Sequence, residues 1–336
     1  MMGRFYVPIL KAKRGEFWAL AKLDLGRREV VRPLLEPVPR KDGTVRSGEL
    51  CGAVMDWGVP LYVDTHELGV SAAAATHART VYDALADDDC LVIPTTGLAR
   101  DPAYQSAIRD AVASHQSGVC LRLEPGDFND LAQLPLLIES LLNILEVETG
   151  DADLLIDYGH FEQAGTLTQM IRANLADVPN IHGWNRLIVV AGAFPESING
   201  HPNWTLLDRA DWIGIRDAVI GAPPLPRTPD VGDYACRSTT LPPPVPRAST
   251  NIRYLTDDKW LVKQGTSEPA LWSSNMEQLA QELIARPEYE ASLSAGDDEY
   301  AARAATTGRY GGTTQWAAWA VSRHVSKAAD QVASLL

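Results

Sequence analysis

Four acids stand just beyond short apolar runs: Glu36 after Val31–Leu35, Asp64 after Leu61–Val63, Glu124 after Val119–Leu123 and Asp157 after Leu154–Ile156. Carboxylates in unlike surroundings titrate apart, so one can donate a proton while another accepts it, and the same oxygens suit a hard divalent cation such as magnesium. Lys11, Arg122 and Arg216 are the complementary set for holding an anionic group, the arginines through a planar fork that lysine lacks. Arg122 alternates with Leu121 and Leu123, which in a strand points it inward, and a buried guanidinium needs a carboxylate from Glu124 or Asp157. Each acid also has a plain structural reading, because acids after a strand often cap the next helix. Other chemistries find little footing. His66, His160, His182 and His201 lack zinc-site spacing, and there is no G-x-S-x-G elbow or glycine-rich nucleotide loop.

Such residues act together only if the fold delivers them to one place. Short apolar runs alternate with longer helical stretches, the pattern of βα units around a parallel sheet. Eight runs are expected as strands: Phe5–Leu10, Val31–Leu35, Leu61–Val63, Leu91–Ile93, Val119–Leu123, Leu154–Ile156, Leu187–Val190 and Trp212–Ile215. Helices are expected between them, including Gly48–Trp57 and a short one near Trp204–Arg209. Asp101-Pro102 reads as an N-cap followed by proline at the first helical position. The expected fold class is α/β, a (β/α)8 TIM-barrel-like fold, in which loops after the strands converge on one face. An open doubly wound sheet is the alternative, but its usual glycine-rich first turn is missing.

The barrel is expected over residues 1–222, followed by a Pro-rich arm over 223–250, since Pro223–Pro246 holds eight of the 22 prolines. Residues 251–336 are expected to form a C-terminal extension packed on the barrel, with a β-hairpin of Ile252–Leu255 and Trp260–Val262 and helices at Ser273–Ala285 and Thr314–Ala333.

Composition narrows the function classes. A hydrophobic fraction of 46% with 22% charged residues predicts a packed core. A net charge of −13 disfavours nucleic acid and anionic lipid as partners, while leaving room for a small anion at a local basic cluster. No apolar run reaches membrane-spanning length. Cys51, Cys90, Cys120 and Cys236 are widely spaced, as reduced thiols in the cytoplasm would be.

Ordered blocks along the chain resemble a known family. They are Tyr6-Val7-Pro8-Ile9-Leu10-Lys11, Gly15-Glu16, Pro33-Leu34-Leu35-Glu36, Leu154 to Gly159, Ala191 to Pro195, Gly232-Asp233-Tyr234, Ile252-Arg253-Tyr254, Trp260 to Gly265, Ser294 to Asp297, and Trp316 with His324. In order and spacing they resemble the beta protein family of phages and bacteria, over nearly the whole chain. One departure is Arg323-His324, where the family favours paired histidines. The resemblance implies shared architecture, and brings no cofactor or catalytic residue with it. Its matching polar residues, Lys11, Glu16, Glu36, Asp157, Asp233, Tyr234, Arg253 and Lys263, mark either a shared pocket or the joint between tail and barrel.

The expected function is an enzyme, a hydrolase or lyase of a small polar or phosphorylated substrate at the C-terminal face of the barrel. Glu36, Asp64, Glu124 and Asp157 would be acid, base or metal ligand, and Lys11, Arg122, Arg216, Asp233, Tyr234, Arg253 and Lys263 would bind substrate. The competing expectations are a non-catalytic binding or scaffold component of a phage–host conflict system, with a protein partner, and a glycoside hydrolase-like barrel with two acids facing each other across a groove. Convergence of the acids favours an enzyme; scattered acids with an apolar patch on the tail helices favour a scaffold.

Overall fold

The computed structural model describes residues 4–39, 47–52, 57–240, 249–306 and 311–335. Strands β1 (Tyr6–Lys11), β2 (Leu34–Glu36), β3 (Leu61–Val63), β4 (Val92–Thr96), β5 (Val119–Leu123), β6 (Ala152–His160) and β7 (Arg186–Gly192) follow one another in space. Next in the chain come β8 (Thr205–Asp208), which lies outside this sheet, and β9 (Asp230–Asp233). β9 pairs in parallel with β7 on one side and β1 on the other, closing an eight-stranded barrel and excluding the open sheet.

Strand alternation sorts the side chains. Val7, Ile9, Leu34, Tyr62, Ile93, Cys120, Leu155, Ile188, Val190 and Tyr234 pack inside the barrel. Outward residues such as Leu121, Leu123, Leu154 and Val189 pack under the helices. The covering helices are α1 (Arg14–Ala21), α2 (Leu25–Val30), α3 (Ser47–Gly52), α4 (Ala75–Asp87), α5 (Pro102–His115), α6 (Leu134–Leu145), α7 (Ala164–Asp177) and α8 (Ala210–Ile220). Asp101 caps α5 as its sequence indicates, accepting from the Ala103 N–H at 2.8 Å with Pro102 at the first turn.

The eighth strand is not the expected one. Trp212–Ile215 belongs to α8, whose Ala210, Trp212, Ile215 and Ala218 are buried, and the strand that closes the barrel is Asp230–Asp233, inside the segment expected as an arm. A buried helix and a buried strand both present short apolar runs, so hydrophobicity alone does not separate them. At the seam Val7 faces Gly232, and a Cβ on that glycine would overlap the Val7 carbonyl oxygen. The expected helix near Trp204–Arg209 is likewise a strand, β8. The expected helix Gly48–Trp57 and the arm to Pro246 both run partly outside the described residues.

The hairpin forms as expected from β10 (Asn251–Leu255) and β11 (Lys259–Gln264), and β8 joins it to make a three-stranded antiparallel sheet. Helices α9 (Trp272–Ile284), α10 (Ala295–Ala305) and α11 (Thr313–Ala333) follow, and α11 lies along α1. Met276, Leu279, Tyr300, Trp316 and Trp319 form a second core against Ile252, Tyr254 and Leu261. No helix among the described residues is long and apolar enough to cross a membrane, and all four cysteines are buried free thiols.

Candidate functional site

Alternation in β5 puts Arg122 on the inner side of the strand, in step with Cys120, at the C-terminal end of the barrel. Its guanidinium gathers three carboxylates delivered by three other strands. Nη1 donates to Glu36 Oε1 at 2.8 Å and to Asp64 Oδ2 at 2.9 Å. Nε and Nη2 donate to Asp157 Oδ2 at 3.0 and 2.6 Å. Nη2 also reaches the Tyr234 hydroxyl at 2.8 Å, and that hydroxyl donates to Asp157. All five side chains are buried. Of the two partners expected for Arg122, Asp157 is present and Glu124 is not.

A second tier sits above this core. Lys11, at the end of β1, bonds both Glu36 and Glu67. Asp64 follows β3 and accepts from the His66 N–H at 3.1 Å, capping a short 3-10 turn over Thr65–Leu68 that projects His66 and Glu67. Arg100 grips Asp64 through two bonds of 2.7 and 2.9 Å. His66 Nδ1 stands 3.3 Å from Asp64 and 3.5 Å from Glu36, at ion-pair distance without hydrogen-bond alignment, and Nε2 stands 3.5 Å from Glu67. Against four carboxylates (Glu36, Asp64, Glu67 and Asp157) the cluster sets Lys11, Arg100, Arg122 and, when protonated, His66.

Electrostatics keep His66 charged. Burial opposes its protonation, but Asp64, Glu67 and Glu36 outweigh that and push it up to about 9. Burial raises Glu67, yet His66 and Lys11 prevail and bring it down to about 2. Asp64 is likewise held well below the usual carboxylate range, because Arg100, His66 and Arg122 outweigh its burial. Burial, reinforced by Asp157, keeps the Tyr234 phenol protonated. His66 is 25% and Glu67 17% exposed, so these two form the accessible lip over a closed core.

The other expected site residues lie elsewhere. Glu124 is exposed, and its N–H donates to Asp127 at 2.8 Å at the start of a 3-10 turn. Arg216 does not follow a barrel strand but sits on α8, paired with Asp217 and Asp258 at 3.0 and 3.1 Å. Lys263, on β11, pairs with Glu282 at 2.5 Å. Asp233 points outward from β9 into the joint with α11, where it accepts from Tyr6 at 2.6 Å, Arg209 at 3.3 Å and His324 at 2.9 Å. Burial beside Arg209 and Arg323 keeps His324 neutral despite Asp233. Its neighbour Arg323 bonds the Leu255 carbonyl at 2.9 Å and Glu290 at 2.5 Å, both within the tail, so of this pair it is His324 that fastens tail to barrel. Arg253 lies on β10 and packs 5.3 Å over the Phe194 ring.

Glu36, His66 and Glu67 could offer ligand atoms to a metal ion, all within 4.8 Å of one another. The Lys11 ammonium already bridges Glu36 and Glu67, and His66 holds a proton, so a divalent ion would have to displace both charges.

Sequence reasoning noted His66 but gave it no role, and it missed Glu67 and Arg100. The available signal was the run Asp64-Thr65-His66-Glu67, three ionisable groups in four residues directly after a strand.

The family model described as Beta protein matches residues 6–330. The chain belongs to the beta protein family. No curated protein matches it at a significant level. Within this beta protein, the family-like blocks place Lys11, Glu36, Asp157 and Tyr234 at the mouth and Asp233 with His324 at the tail joint, while Lys263 pairs with Glu282 and Glu16 with Arg237.

Proposed function

We propose that the chain is an enzyme, a hydrolase or lyase of a small polar or phosphorylated substrate bound at the C-terminal mouth of the barrel. The observation that carries this reading is the partly exposed His66–Glu67 pair, held with its proton above a closed bed of ion pairs. His66 is the proton donor to a leaving group, and ionised Glu67 accepts a hydrogen bond from an attacking water and orients it. Lys11 supplies positive charge beside them. Arg122, Glu36, Asp64 and Asp157 are positioning residues, and the buried carboxylates keep His66 charged. The four buried thiols suit a reducing, cytoplasmic setting.

A thermal-shift screen against nucleotides, sugar phosphates and divalent cations, followed by turnover assays on the stabilising compounds, tests this. A ligand at about 100 times its Kd adds ~2.7 kcal/mol of stability. Turnover lost in His66→Gln with unchanged melting at high pH is the expected result; silence across the panel, or full activity in that variant, overturns it.

One observation favours a protein partner as a second reading. Leu136, Leu137 and Ile144 on α6 are 59%, 50% and 46% exposed, a cluster of apolar side chains on a barrel helix rather than on the tail. The glycosidase expectation draws no support, because Glu36, Asp64 and Asp157 close on one guanidinium instead of facing each other across a groove.

A further inference from the structure

Beside the charge-balanced mouth lies a group of cations that is not balanced. Lys13 follows β1 at the N-cap position of α1, half-buried, with no carboxylate at ion-pair distance among the described residues. Arg237 follows β9, and its guanidinium pairs with Glu16, while its Nε has no acceptor. Arg253 reaches across from the tail sheet to the Cys236 carbonyl at 3.2 Å and to Asn251 Oδ1 at 3.2 Å, with no carboxylate partner among the described residues. Of the three cations, only Arg237 has a carboxylate at ion-pair distance among the described residues, Glu16, which is completely buried. Like charges crowd here: Lys13 and Arg253 are both lowered, chiefly by burial, with repulsion from Arg237 adding to it and Glu16 (for Lys13) or Cys236 (for Arg253) opposing it. In a chain of net charge −13, a local surplus of positive charge that the described residues do not neutralise stands out.

We propose that Lys13, Arg237 and Arg253 form the binding site for a dianionic phosphoryl group of the substrate, beside the His66–Glu67 lip. This rests on the enzyme reading only for the word substrate; the anion site itself stands on the unmatched cations. Two guanidiniums and an ammonium match the charge of a phosphate dianion and the spread of its oxygens. Lys13 feels the charges of both Lys11 and Glu67, so an anion bound at Lys13 leaves the rest of a small molecule within reach of the lip. Free backbone N–H groups at the start of α1 add to the attraction, since Lys13 makes no side-chain cap there.

The test is binding of inorganic phosphate and pyrophosphate to the full chain, by calorimetry and thermal shift, against chloride at equal ionic strength. Lys13→Met and Arg253→Met are expected to weaken binding roughly tenfold each, the loss of one charge-assisted contact. His66→Gln is expected to bind phosphate as the parent does. Arg237 is left intact because its removal would strand buried Glu16. Phosphate binding with no turnover of any phosphorylated compound upholds the anion site and defeats the enzyme reading. Turnover of uncharged substrates without phosphate binding does the reverse. Absence of any phosphate effect beyond chloride, or equal binding by both variants, overturns the proposal.

Discussion

The proton on His66 gives the sharpest handle on the mouth. An imidazole with an ordinary value of 6.5 that is pushed up to about 9 in the folded protein binds its proton more tightly folded than unfolded. The resulting stabilisation is complete below pH 6.5 and disappears as pH rises through 9. A shift of that size corresponds to about 3 kcal/mol at 1.36 kcal/mol per pH unit, a ceiling because the ring is a quarter exposed. Unfolding entropy near 2.1 cal/mol/K per residue over 336 residues gives ~0.7 kcal/mol per kelvin, so the effect is about 4 °C in Tm. The assay is the Tm of parent and His66→Gln between pH 6 and 10. Subtracting the two curves cancels the titration of groups common to both. The gap is expected to be widest at pH 6 and to narrow through pH 9, while NMR of the imidazole follows the same midpoint. A gap constant across the range, or an imidazole that titrates near 6.5, would refute the reasoning that three carboxylates govern this site.

The remaining predictions concern the elements around it. Arg122→Met leaves Glu36, Asp64 and Asp157 buried with fewer partners and is expected to cost about 3–5 kcal/mol by urea denaturation, with Arg122→Lys recovering part of it. Glu36→Gln with Asp157→Asn, which a purely catalytic role would leave stable, is expected to lower the denaturation midpoint as well, because both acids hold the buried guanidinium. Gly232→Ala is expected to prevent barrel closure and yield insoluble or unfolded protein, whereas Gly126→Ala, where a Cβ meets nothing within 4 Å, behaves as the parent in circular dichroism. Asp233→Asn is expected to cost about 2–4 kcal/mol, since Arg209 loses its carboxylate in the closed joint.

How far these elements can be read from sequence depends on whether their partners are near or remote. Seven barrel strands are legible because strands buried on both faces read as short continuous apolar runs. β9 is not: Asp-Val-Gly-Asp is polar at both ends, and its acids find most of their partners in distant segments. Asp230 accepts from the Phe5 N–H and Arg186, each at 2.8 Å, and Asp233 takes Tyr6 and His324. Its glycine is dictated by a neighbour more than two hundred residues away, Val7. Helix α10 was missed although Ser294 and Asp297 form a capping box, with the Ser294 N–H bonded to Asp297 at 2.9 Å. The inward turn of Arg122 is a local consequence of alternation and is legible; that it collects Glu36 and Asp64 as well as Asp157 is a consequence of closure.

That closure also explains why stability and proton chemistry cannot be separated at this mouth. Arg122 neutralises carboxylates that would otherwise be costly to bury, and two of those carboxylates, Glu36 and Asp64, raise the proton affinity of His66. If Arg122 were absent, Glu36, Asp64 and Asp157 would be left buried with fewer partners, and the bed beneath His66 would be disturbed. If the acids were absent, the guanidinium would be stranded inside the barrel. A residue at the lip can therefore be exchanged at modest cost, whereas one in the bed cannot, and variants of His66 report on chemistry while variants of Arg122 report first on folding. The unmatched cations at Lys13 and Arg253 fall on the first side of that division. Neither has a carboxylate at ion-pair distance among the described residues, so substituting Lys13 is expected to cost phosphate affinity first, while substituting Arg253 also gives up its bonds to the Cys236 carbonyl and Asn251.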